Sequence, residues 1–478
     1  MQKRLKIGAV IVAVFFALII WLPQHVLAAG PKNVIFYIGD GMASSQRMIP
    51  ELVYERKLVM NTLPVVGIYT TYSLKTIVTV SAAAGTALAT GHKTKNRYIS
   101  LGPKKKIAYE SLAEAAKRMG KSVGIVTTTR ITHATPACFG AHTGNRDFKN
   151  KIADQYVAKD FEVWMGGGRR HFIPKTAANR QDPDKKMKSK RRDERDLLRE
   201  FADKGYTILR TKSDLLGMTI EKDTKVFAAF TYSHLDYYLD MPEEVPNLAQ
   251  MTKAALKILK QNPNGFFLMV EGGRIDHAAH ANAPGATVTD TLDLDNAVKL
   301  GVDFVQTNPD TLLLVGGDHE TGGMSMGIQT GYYMKPEVIK GAAKTVIAMG
   351  YGEVLKTPEK AVEIFKANSG ITDLTEEEIE QIEEAARQTK AGKTYKSPNK
   401  TYNPGWFGFA FANIMSKRAR IGWTAYVHTG HPVLITAMGP GSETFEGFFD
   451  NTDVAKKVAG LWGVTLKTWP HVRARKKK

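Results

Sequence analysis

The sequence predicts an α/β protein in which a mainly parallel central sheet is flanked by helices on both faces. Two observations carry this. Short β-rich runs recur at 34–38 (VIFYI), 123–127 (VGIVT), 226–230 (VFAAF), 266–270 (FFLMV) and 311–315 (TLLLV). Each is apolar at successive positions, as expected of strands buried on both faces. Helical patterns such as 108–119 and 248–260 lie between them, and that alternation builds parallel strands through crossover helices.

The composition agrees. The chain has 478 residues, 43% hydrophobic and 24% charged. That is ordinary globular usage, and it excludes disorder, collagen, coiled coil and a polytopic membrane protein for the bulk of the chain. A chain of this length buries a large core without covalent staples. The single cysteine, Cys138, rules out an intramolecular disulfide, and it reads as a small buried residue.

The chain begins with three cations in residues 1–6, followed by an uncharged apolar stretch over 7–22, Pro23 and small residues at Ala28-Ala29. This is the layout of a secretory signal peptide over 1–29; the alternative is an uncleaved anchor. Either way the body, 30–478, is expected outside the cytoplasm, secreted or on the outer face of the membrane or cell wall. The net charge is +19. That excess suits phosphorylated substrates or association with anionic envelope polymers. The cation-rich runs 185–195 and 473–478 read as a solvated loop and a tail. No motif with interleaved aromatics accompanies them, so nucleic-acid recognition is not expected.

In open parallel sheets chemistry collects at the carboxyl ends of the strands. Gly39-Asp40-Gly41 follows the first run, and a loop with His133 and Thr135 follows the second. Glu271-Gly272-Gly273 follows 266–270, and Gly316-Gly317-Asp318-His319 follows 311–315. Asp276 and His280, four apart, share one face of a helical turn. His428 lies in a glycine-containing loop, 426–432 (YVHTGHP). Carboxylates and imidazoles in this number suit divalent ions: zinc accepts nitrogen and oxygen, magnesium prefers oxygen.

Residues 81–91 (SAAAGTALATG) are rich in small side chains and open with Ser81. A helix start presents free N–H groups to an anion. A serine there is a candidate nucleophile, activated by a bound cation rather than a histidine base; the alternative is an ordinary helix cap. Further on, 373–390 predicts an acidic amphipathic helix with a Thr375–Glu378 capping box. The region from about 325 to 425 breaks the βα rhythm and reads as a crown-like insertion above the sheet.

Taken together, 33–42 (NVIFYIGDGM), 81–94 (SAAAGTALATGHKT), 132–146 (THATPACFGAHTGNR), 271–280 (EGGRIDHAAH), 316–322 (GGDHETG) and 428–430 (HTG) resemble the alkaline phosphatase family, in order and over nearly the whole mature chain. The resemblance implies that fold, two zinc ions and one magnesium, and hydrolysis of phosphate monoesters through a phosphoseryl intermediate on Ser81. It matches Asp276, His280 and His428 to the first zinc, and Asp40, Asp318 and His319 to the second. Asp40, Thr135 and Glu271 match the magnesium site. Arg146 matches the arginine that grips phosphate. His133 and His277 occupy positions that vary within the family and act on the third metal or the phosphate. Family members are commonly homodimers, so one is expected here.

One departure stands out. The family places Asp before the nucleophile, where this chain has Val80. That Asp orients the phosphate-gripping arginine, so weaker phosphate binding and faster product release are expected, unless another carboxylate substitutes. Competing readings are a related phosphodiesterase or sulfatase, and a catalytically impaired, metal-stabilised binding protein of the envelope.

Overall fold

The computed structural model describes residues 30–176, 188–328, 330–345, 348, 353–396 and 402–471. The leader expected over 1–29 and the tail 473–478 lie outside the described residues. Contacts divide the chain at Gly30/Pro31, and the fold is that of the unit from Pro31.

A ten-stranded sheet forms its centre. Its strands are β1 (Asn33–Gly39), β2 (Val65–Thr70), β3 (Ser122–Arg130), β4 (Val163–Gly167), β5 (Tyr206–Leu209), β6 (Lys225–Ala229), β7 (Phe266–Gly272), β8 (Thr311–Gly317), β9 (Val433–Met438) and β10 (Gly447–Asp450). The spatial order is β10-β2-β9-β8-β1-β7-β3-β4-β6-β5. All pairings are parallel except those of β9, which runs antiparallel to β2 and β8. The predicted architecture is therefore present, and all five apolar runs are strands.

β1, β7 and β8 are buried along their whole lengths, and two large apolar clusters lie against the sheet. Phe36, Ile125, Phe267 and Leu314 belong to one, Ile35, Val126, Leu268 and Val315 to the other. Alternate side chains point to opposite faces, so each central strand feeds both clusters. At about 25 cal/mol per Å² of buried apolar surface, this double burial is the main stabilising contribution.

Four helices frame the site: α1 (Ser81–Thr90), α2 (Ala134–Gly140), α3 (Arg274–His280) and α4 (Pro284–Thr307). α1 packs on α2 through small residues. A Cβ on Gly85 would meet Cys138 Sγ at 3.1 Å, and the Cys138 thiol donates to the Ala82 carbonyl at 3.3 Å. Cys138 is fully buried, as expected.

Among the described residues, the chain segment that runs from β8 to β9 adds no strand to the sheet. That stretch holds the helices Ala361–Ser369, Glu376–Lys390 and Gly405–Ala419, which share a third apolar cluster with Ala278 of α3 and Ala286 of α4. The two-residue strands Ser325–Met326 and Ile421–Gly422 pair antiparallel at its base. The Thr375–Glu378 capping box forms: Thr375 Oγ1 accepts from the Glu378 amide and Glu378 Oε2 from the Thr375 amide.

Four local expectations are corrected. The helix expected over 108–119 spans only Leu112–Arg118; Ile107–Tyr109 is a strand, and the Ser111–Glu114 capping box sets the helix start. Thr135 is on helix α2 rather than in a loop, with His133 at its N-cap. Pro136 in the first turn fits because its missing N–H needs no partner there. His428 sits in a two-residue strand paired with Glu320–Thr321. Arg191, within the run expected to be a solvated loop, is buried and ion-paired to Asp154 and Asp193. Among the described residues, no helix is long and apolar enough to cross a membrane.

Candidate active site

Three adjoining strands deliver the acids. β1 lies between β7 and β8, with Ile38 opposite Glu271 on one side and Gly316 on the other. Asp40, Glu271 and Asp318 therefore emerge side by side. Gly41 makes the turn possible: its φ is +74°, and a Cβ would lie 2.9 Å from Asp276 Cα. Its amide donates to Asp318 Oδ1 at 3.1 Å.

Helix α3 follows β7 at once and presents Asp276 and His280. The His280 Nε2–Asp276 Oδ1 distance is 3.3 Å, and His428 Nε2 is 3.5 Å from the same oxygen. His280 Nδ1 faces the Tyr426 carbonyl at 2.7 Å and His428 Nδ1 the Thr79 carbonyl at 2.8 Å. Donating Nδ1–H to a carbonyl leaves the Nε2 lone pair free for a metal. His319 Nε2 lies 3.4 Å from Asp40 Oδ1 and 3.3 Å from Asp318 Oδ2. Thr321 Oγ1 donates to Asp276 Oδ1 at 2.6 Å.

Ser81 opens α1, and Val80, not Ser81, is its N-cap. Ser81 Oγ lies 3.4 Å from His319 Nε2 and 3.5 Å from Arg146 Nη1. Arg146 Nη2 donates to His133 Nε2 at 2.8 Å. Among the described residues no carboxylate comes within ion-pair distance of Arg146, so an imidazole, rather than a substitute carboxylate, docks it. Thr135 Oγ1 lies 3.4 Å from Asp40 Oδ2, and His133 Nδ1 3.9 Å from it. Glu271 accepts from Thr127 and Thr129. His277 pairs with Arg274 through Nδ1 at 2.6 Å.

Three groups of potential ligand atoms converge: Asp40, Asp318 and His319; Asp276, His319 and His428; and Asp40, His133 and Glu271. The first is the set expected for the second zinc. In the second group His319 joins Asp276 and His428, and His280 stands against both of these residues, its Nε2 3.2 Å from that of His428. In the third, His133 joins the two carboxylates expected to hold magnesium.

The donor set fits divalent cations on electrostatic grounds. Asp40 Oδ1, Asp318 Oδ2, Glu271 Oε1 and His133 Nδ1 are buried without a hydrogen-bond partner, a costly state that bound ions would relieve. Burial, then Asp318, Asp276 and Glu271, hold the Asp40 carboxyl well above its usual range. Burial pushes Asp318 up to about 8, with Asp276 and Glu271 adding to it. Burial also keeps His319 neutral and takes His428 down to about 4. Buried carboxylates this close cannot all ionise without positive charge between them.

A match to the alkaline phosphatase family covers residues 31–463. The chain belongs to the alkaline phosphatase family. It is 36% identical over 447 residues to alkaline phosphatase 3 of Bacillus subtilis, covering 89% of this chain and 88% of the relative. The Schizosaccharomyces pombe alkaline phosphatase is 30% identical over 463 residues, covering 91% and 82%. The crystal structure of the Thermus thermophilus alkaline phosphatase superposes with a TM-score of 0.77 at 31% identity, covering 92% of each chain. Alkaline phosphatases are metal-dependent phosphomonoesterases, and the converging ligand groups fit a di-metal site.

Several residues at the site escaped the sequence reading. Tyr402 stacks on His277 and His280, with ring centroids 4.4 and 4.8 Å away. His234 packs edge-on against His133 and His277. Arg130 and Lys149 line the same cavity as Ser81. The polar run 127–130 (TTTR), which closes the otherwise apolar strand β3, was the available signal for Arg130 and for the threonines that hold Glu271; Tyr402 and His234 carry no local pattern.

Proposed function

We propose that this chain is an exported alkaline phosphatase that hydrolyses phosphate monoesters through a phosphoserine on Ser81. The observation that supports it is the placement of the Ser81 hydroxyl beside Arg146 and His319, among buried acids that each keep one carboxylate oxygen without a hydrogen-bond partner. Asp276, His280 and His428 would hold one zinc, and Asp40, Asp318 and His319 the other. Asp40, Thr135 and Glu271, with His133 beside them, would hold magnesium. Bound there, the ions supply Lewis acidity and neutralise charge developing on the phosphoryl oxygens.

The chain's own groups do the positioning. Arg146 offers a planar pair of N–H donors to two phosphate oxygens, and His133 Nε2 holds it in place. The start of α1 would turn its positive partial charge toward the phosphate. Ser81 Oγ attacks in line as its proton leaves, forming the P–O bond while the alcohol departs. Water then attacks the phosphoserine from the vacated side, and Ser81 leaves. Two in-line displacements predict retention at phosphorus and transfer to alcohols such as Tris. His277, stacked on Tyr402, would orient water or phosphate.

Metal analysis alongside turnover tests this reading. Loss of p-nitrophenyl phosphate hydrolysis with EDTA, and recovery with zinc plus magnesium, is expected. Faster turnover of the bis-ester or the sulfate would favour a diesterase or sulfatase instead. Metal-loaded protein without Ser81-dependent turnover would favour an envelope binding protein. In this reading the leader 1–29 is cleaved on export, the chain is a homodimer, and its basic surplus associates with anionic envelope polymers.

A further inference from the structure

We propose that Arg130 and Lys149 form a second anion subsite beside Ser81, which takes the second phosphate group of a bisphosphorylated substrate. This rests on the phosphomonoesterase reading above and narrows its substrate class. Ser81, Arg146, Arg130 and Lys149 line one cavity of about 570 Å³. That space exceeds what a single phosphate fills.

The two cations have no structural employment that accounts for them. Neither has a carboxylate at ion-pair distance among the described residues. The carboxylate on the same rim, Asp147, pairs with Arg97. Arg130 spends one N–H on Ser233 Oγ at 3.1 Å, while its Nε is buried and unpaired. Lys149 is the first residue of the helix Lys149–Tyr156, where a cation opposes the positive end of the helix dipole. Burial together with Arg146 and Arg130 holds its ammonium well below the ordinary lysine range. Arg146, Arg130 and Lys149 repel one another, and among the described residues none of them is ion-paired to a carboxylate; an anion placed among them reverses the sign of that interaction.

Arg146 serves the phosphate at Ser81. With Lys149 protonated against a bound anion, Arg130 and Lys149 present two charges, which matches a phosphate dianion better than a single carboxylate. A guanidinium plus an ammonium is also a suitable donor set for phosphate oxygens.

The test compares hydrolysis of linear alkanediol monophosphates and the corresponding bisphosphates, three to six carbons long, by the metal-loaded wild type. After correction for the twofold statistical advantage, one chain length should show a kcat/KM preference for the bisphosphate of about tenfold, as expected for a charged hydrogen-bonded contact. The preference should fall toward unity in Lys149→Gln and in Arg130→Gln, each measured as a ratio within one preparation so that loss of active protein cancels. A wild-type ratio near unity at every length overturns the subsite even if both variants fail to fold. A ratio that survives both substitutions overturns the assignment to these residues. Absence of any monoester turnover by the wild type would instead remove the reading on which the subsite rests.

Discussion

Replacing Val80 with Asp restores a carboxylate at the N-cap of α1, next to the nucleophile. Val80 is half-buried and packs against the larger core. Losing that packing costs about 1 kcal/mol, and an Asp N-cap returns about the same, so thermal stability should barely change. The effect falls on Arg146, whose Nη2 is held, among the described residues, by the neutral His133 imidazole at 2.8 Å. The bond to His133 already has one ionised partner, the guanidinium; a carboxylate at position 80 would add a second bond in which both partners are ionised, worth about 1.5–3 kcal/mol before the cost of ordering it. A net gain of about 1.4 kcal/mol in ordering the guanidinium corresponds to a tenfold change in affinity. The inhibition constant of inorganic phosphate, measured by competition with p-nitrophenyl phosphate, should fall about tenfold, and kcat should drop wherever phosphate release limits it. An unchanged inhibition constant in a folded, metal-loaded Val80→Asp variant refutes the argument that Arg146 is under-restrained.

Four further outcomes are expected. Ser81→Ala should lose at least about 1000-fold in kcat with metal content retained, read by turnover and metal analysis of one sample. His133→Ala should release Arg146 and raise the phosphate inhibition constant, whereas His133→Asn should recover part of the loss, because its amide oxygen accepts the same hydrogen bond. In the metal-free protein Asp318 is raised from 3.8 to about 8; the folded state then holds a proton the unfolded chain has lost, so stability present below about pH 4 drains away as pH rises toward 8. Thermal melts of chelated protein should fall across that window, and melts of the metal-loaded protein should not. Cys138 is buried and its thiol is pushed up to about 12, so native protein should resist alkylation that proceeds readily in denaturant.

What the sequence revealed depended on how buried each element is. β1, β3, β7 and β8 lie at the middle of the sheet, and double-sided burial wrote them as uninterrupted apolar runs. β2 alternates buried and exposed positions, and β10 is exposed or half-exposed throughout; such strands near the edge blend into loops by pattern alone. β4 ends in two glycines, where the backbone packs against Thr127 and Ser233 rather than through side chains. The candidate site was legible because its acids follow strands immediately and are flanked by glycine. Residues such as Tyr402 and His234 reach it from far along the chain, and only tertiary packing brings them in. His133 was found for its position, but its hold on Arg146 could not be read, because that depends on which way the imidazole points.

Hydrogen-bonded parallel strands repeat about every 4.8 Å, and β8, β1 and β7 are neighbours in that repeat. The sheet is thus a built-in ruler for the cation cluster: the gaps between Asp318, Asp40 and Glu271 are set by main-chain pairing deep in the core, not by loops that drift with sequence. Exchanging a ligand that belongs to one set only, such as Glu271, should therefore empty or refill one position while its neighbours keep their separation, which leaves such a centre able to change ions without being rebuilt.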